Sequence, residues 1–433
     1  MRTLFWTSAA VIAYVYVGYP LLLDVWARVA AQGRRPSAPA FPHRVEGVSI
    51  VIAARNEATR LPGRIRNLLA LDYPRHLRQI IVASDGSTDD TADALTCFAD
   101  ELELIEVPPL GKAAALNAGV TRARFDILVF TDARQAFATD ALHALTRRFS
   151  DPDVGGVTGE LVLGCEAGGR RSGSDRRHAT AAAPLDGDRR VAIERRSHLR
   201  SAVAEGVGLY WRYEKALRRR ESVVGSTLGA TGAIYALRRS LWQPLPEGTL
   251  LDDVLAPMRA VLAGRRVIFE PLARAFDATP ADSVGEAQRK VRTLAGNFQI
   301  LWLEPRLLVP FVNPVWLQYV SHKIGRLVVP YALLGLLTAS LALAGRHPLY
   351  AAALFAQGVF YLLGAYGAWF ERRAQRRLSR ESSARPAMPR VHPPDGGYWL
   401  DRTARIAFTF IRLNVAAVAA LAAVALRTKV WRQ

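Results

Sequence analysis

The sequence contains very little cysteine, only Cys97 and Cys165 in a chain of 433 residues. Two cysteines cannot build a disulfide framework, and their separation excludes the closely spaced pair that is typical of a zinc site. This scarcity indicates a reducing, cytosolic environment for the polar part of the chain.

Acidic residues are also scarce relative to basic ones. The chain has 38 Asp and Glu against 57 Lys and Arg, a formal net charge of +19 at pH 7 and a pI near 10.6. Half of the residues are hydrophobic although 22% are charged, which indicates that apolar and charged residues occupy separate blocks. The positive charge suits nucleic acid, anionic lipid or a phosphorylated substrate, and alone it chooses none of them.

A long apolar run begins near the N-terminus. Leu4–Leu23 carries no charge and is long enough to cross a bilayer as a helix. A secretory signal peptide is the competing interpretation, but the residues after the run offer no convincing cleavage site. Arg28, Arg34 and Arg35 follow, so the positive-inside tendency places the next domain in the cytosol. We predict a membrane helix within residues 1–27.

Three further apolar blocks occur near the C-terminus. They are Leu327–Ala344, Leu349–Phe370 and Ile406–Leu426. A basic loop precedes the last block, which again indicates a cytosolic side. We predict about three membrane helices within residues 326–433, and a multi-pass protein of the bacterial inner membrane. The aromatic and proline-rich stretch at 297–325 favours helices that lie at the membrane surface over a loop-rich edge of the soluble domain.

Residues 45–296 form a polar block between these membrane segments. Short β-branched runs alternate with longer amphipathic ones, a pattern that is typical of an α/β fold with a mostly parallel sheet. An insert at 164–200 is rich in Arg, Gly, Ser and Ala and has little apolar periodicity, which indicates a flexible basic loop. We therefore predict one cytosolic α/β domain that carries a flexible insert.

Three predicted strands of this domain each end in a polar cluster. The strands are Val48–Ala54, Gln79–Ser84 and Ile127–Phe130. In parallel sheets with helices on both faces, ligands bind beyond the carboxyl ends of the strands. The three clusters are therefore expected to line one binding edge, and this agreement is stronger evidence than any cluster alone.

The polar clusters suit a nucleotide sugar. Glu57 and Asp85 are placed to hydrogen bond its base and ribose. Its diphosphate needs positive charge or a divalent cation. Lys112, at a predicted helix start, could supply the positive charge, and Asp132 could bind the cation through oxygen. Each residue has a plainer interpretation: Asp85–Asp90 is also typical of a helix cap and turn, and Lys112 of a solvated side chain.

Four segments in this order carry a resemblance to a known family. They are VSIVIAARNE from Val48, SDGSTDDT from Ser84, GKAAALNAG from Gly111 and VFTDA from Val129. This half of the chain resembles family 2 glycosyltransferases with a GT-A fold, a family whose membrane-bound subgroup includes synthases of cellulose, chitin and hyaluronan. The resemblance implies a UDP-sugar donor held by Ala53, Glu57, Asp85 and Lys112, and a lipid-linked or glycan acceptor.

The resemblance also implies a metal-binding D-x-D motif that begins at Asp132. The sequence departs from this motif, because Arg134 occupies the place of the second acid. The loss of a carboxylate weakens binding of Mg²⁺ or Mn²⁺, whereas a guanidinium can contact the diphosphate of the donor directly. We therefore expect Asp132 to bind the metal and Arg134 to bind the donor.

The second half of the domain contains the candidate catalytic acids. Transfer to a hydroxyl with inversion needs a carboxylate that removes the acceptor proton. The resemblance assigns this base to Asp253, with Asp252 and Gly232 near the acceptor. Both aspartates are equally typical of a cap at the start of the following helix.

A basic segment follows where processive members of the family carry Q-x-x-R-W. Arg292 matches the arginine and suits the diphosphate, whereas Gln288 matches only a longer variant of the motif and would contact the acceptor. Thr293 replaces the tryptophan that stacks on the acceptor sugar, which weakens the case for a processive polymerase. A basic juxtamembrane helix face is the alternative interpretation.

Three functions remain open on the sequence alone. An inverting transferase that acts at the cytosolic membrane face, in exopolysaccharide or cell-envelope synthesis, accounts for the whole series of acids. A non-catalytic membrane scaffold that binds nucleotide sugar or lipid accounts for the departure at Arg134. A nucleic-acid-binding protein rests on charge alone, without a zinc-site or helix-turn-helix pattern, and no nucleic-acid partner is expected.

Overall fold

The computed structural model describes residues 1–33, 45–163, 212–277, 283–383 and 398–425. The predicted insert at 164–200 and the basic C-terminal tail lie outside the described residues. The chain divides into two compact units. One comprises residues 1–14, 165–214 and 328–419, and the other comprises residues 15–164, 215–327 and 420–433.

The second unit contains an eight-stranded sheet with the order β3-β2-β1-β4-β7-β6-β8-β5. The strands are β1 Val48–Ala54, β2 Arg78–Asp85, β3 Glu103–Val107, β4 Ile127–Thr131, β5 Ala136–Phe137, β6 Val154–Leu163, β7 Tyr235–Arg238 and β8 Arg266–Asp277. The neighbours β3, β2, β1 and β4 run parallel, and so do β6 and β8. Strand β7 runs antiparallel to both β4 and β6, and β5 to β8. The expected α/β fold with a mostly parallel sheet is confirmed.

The described helices flank this sheet or form apolar spans. They are α1 Arg2–Ala13, α2 Tyr19–Gly33, α3 Leu61–Leu69, α4 Lys112–Thr121, α5 Ala141–Thr146, α6 at 212–224, α7 Asp252–Leu262, α8 Ser283–Leu303, α9 Trp316–Gln318, α10 Gly325–Leu343, α11 Pro348–Ser383 and α12 Tyr398–Ala425. Short 3₁₀ turns lie at Arg75–Leu77, Asp93–Phe98, Arg147–Ser150, Arg239–Leu241 and Pro305–Leu308, and π-helical turns at Tyr14–Gly18 and Tyr319–Ile324.

The sheet is buried on both faces because its strands are almost continuously apolar. Successive side chains of a strand point to opposite faces, so Val51 joins the core under α4 and α7. Its neighbours Ile50 and Ile52 join the core under α3 and α5. The predicted strands match β1, β2 and β4 to within one residue at each end. The sheet therefore presents the ends of β1, β2 and β4 at one edge.

Four helical spans are long and apolar enough to cross a membrane. They are Arg2–Gln32, Trp316–Leu343, Pro348–Arg373 and Thr403–Val424. This agrees with the predicted arrangement of one N-terminal and about three C-terminal helices. The second span begins earlier than predicted, because the π-helical turn Tyr319–Ile324 continues into α10 without a break.

Buried polar contacts tie helix α2 into the second unit. The Tyr19 hydroxyl donates to Glu221 Oε1 at 3.0 Å, and His322 Nδ1 lies 2.6 Å from the same oxygen. Arg220 Nε also donates to Asp24 Oδ1 at 2.6 Å. Helix α2, helix α6 and the turn before α10 are therefore linked by these side-chain contacts.

Candidate active site

Lys112 lies between two carboxylates at the edge where the parallel strands end. Its Nζ is 3.0 Å from Asp132 Oδ1 and 3.1 Å from Asp252 Oδ1. Asp132 directly follows β4, and Asp252 is the first residue of α7. Gly111 turns the chain into α4 with a φ of +98°, a conformation that glycine adopts without strain. Residues far apart in sequence thus form one charged cluster.

The charge of Lys112 is secured by this cluster. Burial lowers the pKa of the Lys112 ammonium, but the carboxylates of Asp132, Asp252 and Asp253 outweigh that effect and raise the pKa above its ordinary value. Lys112 is therefore fully protonated at neutral pH. A lysine in this position is a point charge that can turn from the carboxylates towards an anionic ligand.

Asp253 is held beside the cluster by the loop that precedes β7. Its Oδ2 accepts a hydrogen bond from the Gly232 backbone N–H at 2.9 Å, and its backbone carbonyl accepts one from Ala230. Burial, followed by the like charge of Asp252, raises the pKa of Asp253 to about 6, while Lys112 opposes the shift. A carboxylate with a pKa near 6 is ionised at neutral pH and is still basic enough to accept a proton.

Asp85 is linked to the same cluster through the turn before α4. It ends β2 and is buried, and its Oδ1 accepts a hydrogen bond from the Gly111 backbone N–H at 2.8 Å. Arg55 Nη1 lies 3.8 Å from its Oδ2. Asp85 therefore fixes the start of the helix that carries Lys112, in addition to any contact with a ligand.

Ala53 and Glu57 lie at the end of β1. Ala53 is half-buried within the strand, and the Glu57 carboxylate pairs with Arg60 at 2.8 Å. Asn56, with a φ of +54°, accepts a hydrogen bond from the Thr88 N–H, and Thr91 accepts one from the Glu57 N–H. The turns after β1 and β2 are thus joined along the binding edge.

The other residues of the acidic DGSTDD stretch act in the turn itself. Asp89 Oδ2 accepts from the Ala58 N–H at 3.2 Å and its Oδ1 from the Thr91 N–H at 3.1 Å. Asp89 therefore stabilises the turn, as the plainer interpretation of this stretch predicts, whereas Asp85 contacts the start of α4.

Arg134 is held by a carboxylate that the sequence did not single out. Its Nε lies 3.2 Å from Asp277 Oδ2, and Gln135 Nε2 donates to the same oxygen at 2.9 Å. Asp277 ends β8, so the contact joins the turn after β4 to the far side of the sheet. The Arg134 side chain remains 42% exposed, which leaves part of the guanidinium available to a ligand.

Arg64 is a second residue that sequence reasoning missed. It is only 3% exposed, and its Nη2 donates to Thr131 Oγ1 at 3.0 Å, directly before Asp132. The Thr131 hydroxyl donates in turn to Ala233. Burial lowers the pKa of the Arg64 guanidinium to about 9, against the opposing charge of Asp132. The sequence pattern that indicates this burial is the position of Arg64 on the apolar stripe of α3, where Leu61, Ile65 and Leu68 are all buried.

Helix α8 supports the loop before Asp252. Gln299 accepts a hydrogen bond from the Leu250 N–H at 3.0 Å and donates one to the Gly248 carbonyl at 2.9 Å. Arg292 lies on the same helix with an exposed side chain, and within the described part of the chain it forms no ion pair with the acid cluster. The backbone of Gln288 lies in this helix, but its side chain is outside the described residues.

Asp132 is the site residue that the sequence predicts to hold a divalent cation. Among the described residues, no group of three or more His, Cys, Asp or Glu side chains could hold a metal ion. Mg²⁺, however, is commonly bound through one or two carboxylates together with the phosphates of the substrate. A single carboxylate beside a diphosphate site is compatible with that chemistry.

Comparisons with known proteins relate this chain to glycosyltransferases. The model of glycosyl transferase family 2 matches residues 49–220. A poly-beta-1,6-N-acetyl-D-glucosamine synthase of Staphylococcus aureus is 26% identical over 261 residues, which is 59% of this chain and 56% of that protein. The synthase of the same description from Staphylococcus epidermidis is 33% identical over 121 residues, 27% of this chain and 29% of that protein. The chain thus spans about half the length of the first of these relatives.

One solved structure matches nearly the whole chain. A mannosyltransferase from Pyrobaculum calidifontis, in complex with GDP-Man and Mn²⁺, has a TM-score of 0.64 at 21% identity. The match covers 98% of this chain and 99% of that chain. At this identity the likeness shows the fold, and the predicted GT-A type of α/β domain is confirmed.

Proposed function

Residues 49–220 match the model of glycosyl transferase family 2, and from this premise we propose that the chain is a family 2 glycosyltransferase that moves a sugar from a nucleotide-sugar donor to a lipid-linked or glycan acceptor. The observation that carries the proposal is the meeting of Lys112, Asp132, Asp252 and Asp253 at the carboxyl edge of the parallel strands. A lysine for phosphate and a base with a raised pKa are the two groups that such a transfer needs.

The donor is proposed to lie along the ends of β1, β2 and β4. Glu57 and Asp85 would bind the nucleoside, with Ala53 lining the pocket, while Lys112 and the exposed part of Arg134 would bind the diphosphate. We propose a UDP-sugar. The P. calidifontis neighbour was solved with GDP-Man, so GDP-sugars belong in the test beside UDP-sugars.

Asp253 is proposed as the catalytic base of an inverting transfer. Its carboxylate would take the proton of the acceptor hydroxyl while that oxygen attacks the anomeric carbon and the nucleoside diphosphate leaves. The Gly232 N–H donates to Oδ2 of this carboxylate, and burial, followed by the charge of Asp252, keeps the pKa of Asp253 high. Lys112 would stabilise the negative charge that grows on the leaving diphosphate.

A divalent cation is proposed to assist at Asp132. When bound, Mg²⁺ or Mn²⁺ would neutralise part of the diphosphate charge, with Asp132 as its protein ligand. Arg134 would supply a second positive charge from the place where the D-x-D motif has an acid. The guanidinium stays 42% exposed while it pairs with Asp277, which supports its role in donor binding.

The acceptor is proposed to reach the site from the membrane side of the domain. Gly232, Asp252 and Gln288 would contact it, and Arg292 would approach the diphosphate from α8. Exposed apolar side chains between α8 and α10 support contact of this stretch with lipid; they are Leu308, Val309, Phe311 and Val312. We propose a multi-pass protein of the inner membrane whose catalytic domain faces the cytosol and makes an exopolysaccharide or cell-envelope glycan.

A donor screen with the purified full-length protein tests this function. The protein in detergent would be offered UDP- and GDP-sugars with Mg²⁺ or Mn²⁺ and a membrane-lipid extract, and the release of nucleoside diphosphate and the mass of the product would be measured. We expect release from a UDP-sugar, with a product heavier by one or more sugar residues. Tight binding of a donor without any release would favour the scaffold instead.

A further inference from the structure

Tyr235 is buried beside the acid cluster, and no step of the proposed reaction uses it. It begins β7 in register with Phe130 of β4, the residue two before Asp132. Its side chain is 1% exposed, and its ring stacks on Phe130 at 4.8 Å with an interplanar angle of 23°. Trp242 also stacks on Phe130, at 4.9 Å. The ring is thus fixed by packing, and the hydroxyl at its tip has a defined position.

The Tyr235 hydroxyl has no hydrogen-bond partner within the described residues, although it is buried. Asp252 Oδ2 is likewise buried and unpartnered there, while Oδ1 of the same carboxylate is held by Lys112. Burying an unpaired polar group costs stability, and most buried polar groups in folded proteins are paired. One unsatisfied donor and one unsatisfied acceptor therefore occur in the same cluster.

The acid pair and Asp132 act on this hydroxyl electrostatically. Burial, and then the charges of Asp252, Asp253 and Asp132, raise the pKa of Tyr235 well above its ordinary value. The hydroxyl therefore keeps its proton at every pH at which the site works, and it can serve only as a donor towards these carboxylates. Asp252 is the strongest of the three charges that act on it.

Binding of a donor would disturb the balance of the cluster. Lys112 is the cationic partner of Asp252, and in the proposed function its ammonium also binds the diphosphate of the donor. When Lys112 turns to the phosphates, Asp252 loses its counterion while it remains buried. A buried carboxylate without a partner is strongly unfavourable, so a buried hydrogen-bond donor near Asp252 would stabilise it in place of the lysine.

On the basis of the proposed transfer, we propose that Tyr235 is a positioning residue: its hydroxyl donates a hydrogen bond to Asp252 Oδ2 once Lys112 has turned from Asp252 to the donor phosphates. This contact holds Asp252 in place next to Asp253 during transfer. Before the donor binds, the unpaired Tyr235 hydroxyl lowers the stability of the fold. Its hydrogen bond to Asp252 forms only when the donor is bound.

Two tyrosine variants of the full-length protein separate this role from a structural one. Tyr235→Phe keeps the stacked ring and removes only the hydroxyl. Tyr73→Phe is the matched control, because the buried Tyr73 hydroxyl donates to the Glu46 carbonyl away from the cluster. We expect Tyr235→Phe to lower kcat by about 10- to 100-fold, the value of a hydrogen bond to a charged group, with donor KM within about twofold.

The two variants should also differ in the midpoint of thermal unfolding. Tyr235→Phe should leave the midpoint unchanged or raise it, because it removes an unpaired buried hydroxyl, whereas Tyr73→Phe should lower the midpoint and leave kcat unchanged. Equal kcat in Tyr235→Phe and wild type would overturn the proposal. A fall in kcat that is matched by a fall in the midpoint would also overturn it, since that is the signature of a structural tyrosine.

A double variant tests whether Tyr235 acts through Asp252. If it does, Tyr235→Phe should have little further effect on kcat in the Asp252→Asn background, and independent additive effects would contradict the proposal. Wild-type protein that releases no nucleotide from any donor would instead refute the proposed function, and the role of Tyr235 would fall with it. Active wild type together with an unaffected Tyr235→Phe refutes the inference alone.

Discussion

At the residue scale, the chemistry of the site depends on the different burial of two adjacent aspartates. Asp252 is buried and paired with Lys112, whereas Asp253 is half-buried and accepts a hydrogen bond from the Gly232 N–H. Asp252 therefore acts as a fixed negative charge next to the Asp253 carboxylate. Burial of Asp253, followed by this like charge, raises its pKa to about 6, towards the range of a base.

The pKa of Asp253 predicts the pH dependence of turnover. A base has to be ionised before it can accept the acceptor proton, and the pKa of Asp253 is raised to about 6. We expect kcat/KM to rise as the pH increases through about 6 and to be level above it. Asp252→Asn removes the like charge, so the rise of kcat/KM should occur at lower pH in this variant. A rise at the same pH in Asp252→Asn and wild type would contradict the effect of Asp252 on the pKa of Asp253.

Arg134 predicts how the enzyme should respond to metal. Arg134→Asp restores the second acid of a D-x-D motif and adds one oxygen ligand for the metal. We therefore expect half-maximal activity at an Mg²⁺ concentration about tenfold lower than in wild type. Arg134→Asn is the matched control, because it removes the positive charge without adding a carboxylate. An equal shift in both variants would show that the charge of Arg134, rather than the ligand set, governs the response.

The charged residues of the candidate site could be singled out from sequence because each lies near the end of a strand or the start of a helix. Asp85, Lys112, Asp132 and Asp253 all occupy such positions. Arg64 and Tyr235 could not, because their roles depend on side chains brought from distant elements. An arginine in an apolar stripe and a tyrosine in a strand have ordinary interpretations until their buried surroundings are known.

At the element scale, close packing of β6 against β8 depends on a glycine. A Cβ at Gly159 would lie 2.3 Å from the Ala273 carbonyl oxygen, which is backbone and cannot turn away. We expect Gly159→Ala to lower the free energy of unfolding by about 1–3 kcal/mol. Thermal unfolding of the full-length protein in detergent measures this change.

Gly63 provides the matched control for this substitution. It lies on the exposed face of α3, and a Cβ there would meet nothing within 4 Å. Gly63→Ala should therefore raise the free energy of unfolding by about 0.5–1 kcal/mol, because alanine loses less backbone entropy in a helix. A destabilised Gly63→Ala, or an unaffected Gly159→Ala, would contradict the described packing.

The parallel half of the sheet was predictable and the mixed half was not. Strands β1, β2 and β4 are continuous apolar runs with helical patterns between them, and such runs indicate buried parallel strands. Strand β7 lies between β4 and β6 although it is only four residues long and follows both in sequence. Its place depends on long-range pairing, which local patterns do not encode.

At the scale of the whole molecule, the sequence separated membrane and transferase parts through segregation of apolar and charged residues. The four predicted apolar helices agree with the four candidate spans, because length and lack of charge are sufficient to recognise them. The candidate span that begins at Trp316 overlaps the stretch at 297–325, for which the prolines and aromatic residues predict surface helices. The pairing of Tyr19 and Asp24 with α6 could not be predicted, since it needs three distant helices.

The central claim is that this molecule transfers sugar with Asp253 as its base. Nucleoside diphosphate release by the full-length protein, with its best donor, should be compared between wild type and Asp253→Asn. The control is Asp126→Asn, an acid whose side chain is 90% exposed and pairs with Arg239. We predict a kcat lower by about 10²- to 10⁴-fold in Asp253→Asn with donor affinity within about twofold, and an unchanged Asp126→Asn. Full turnover by Asp253→Asn would contradict the account.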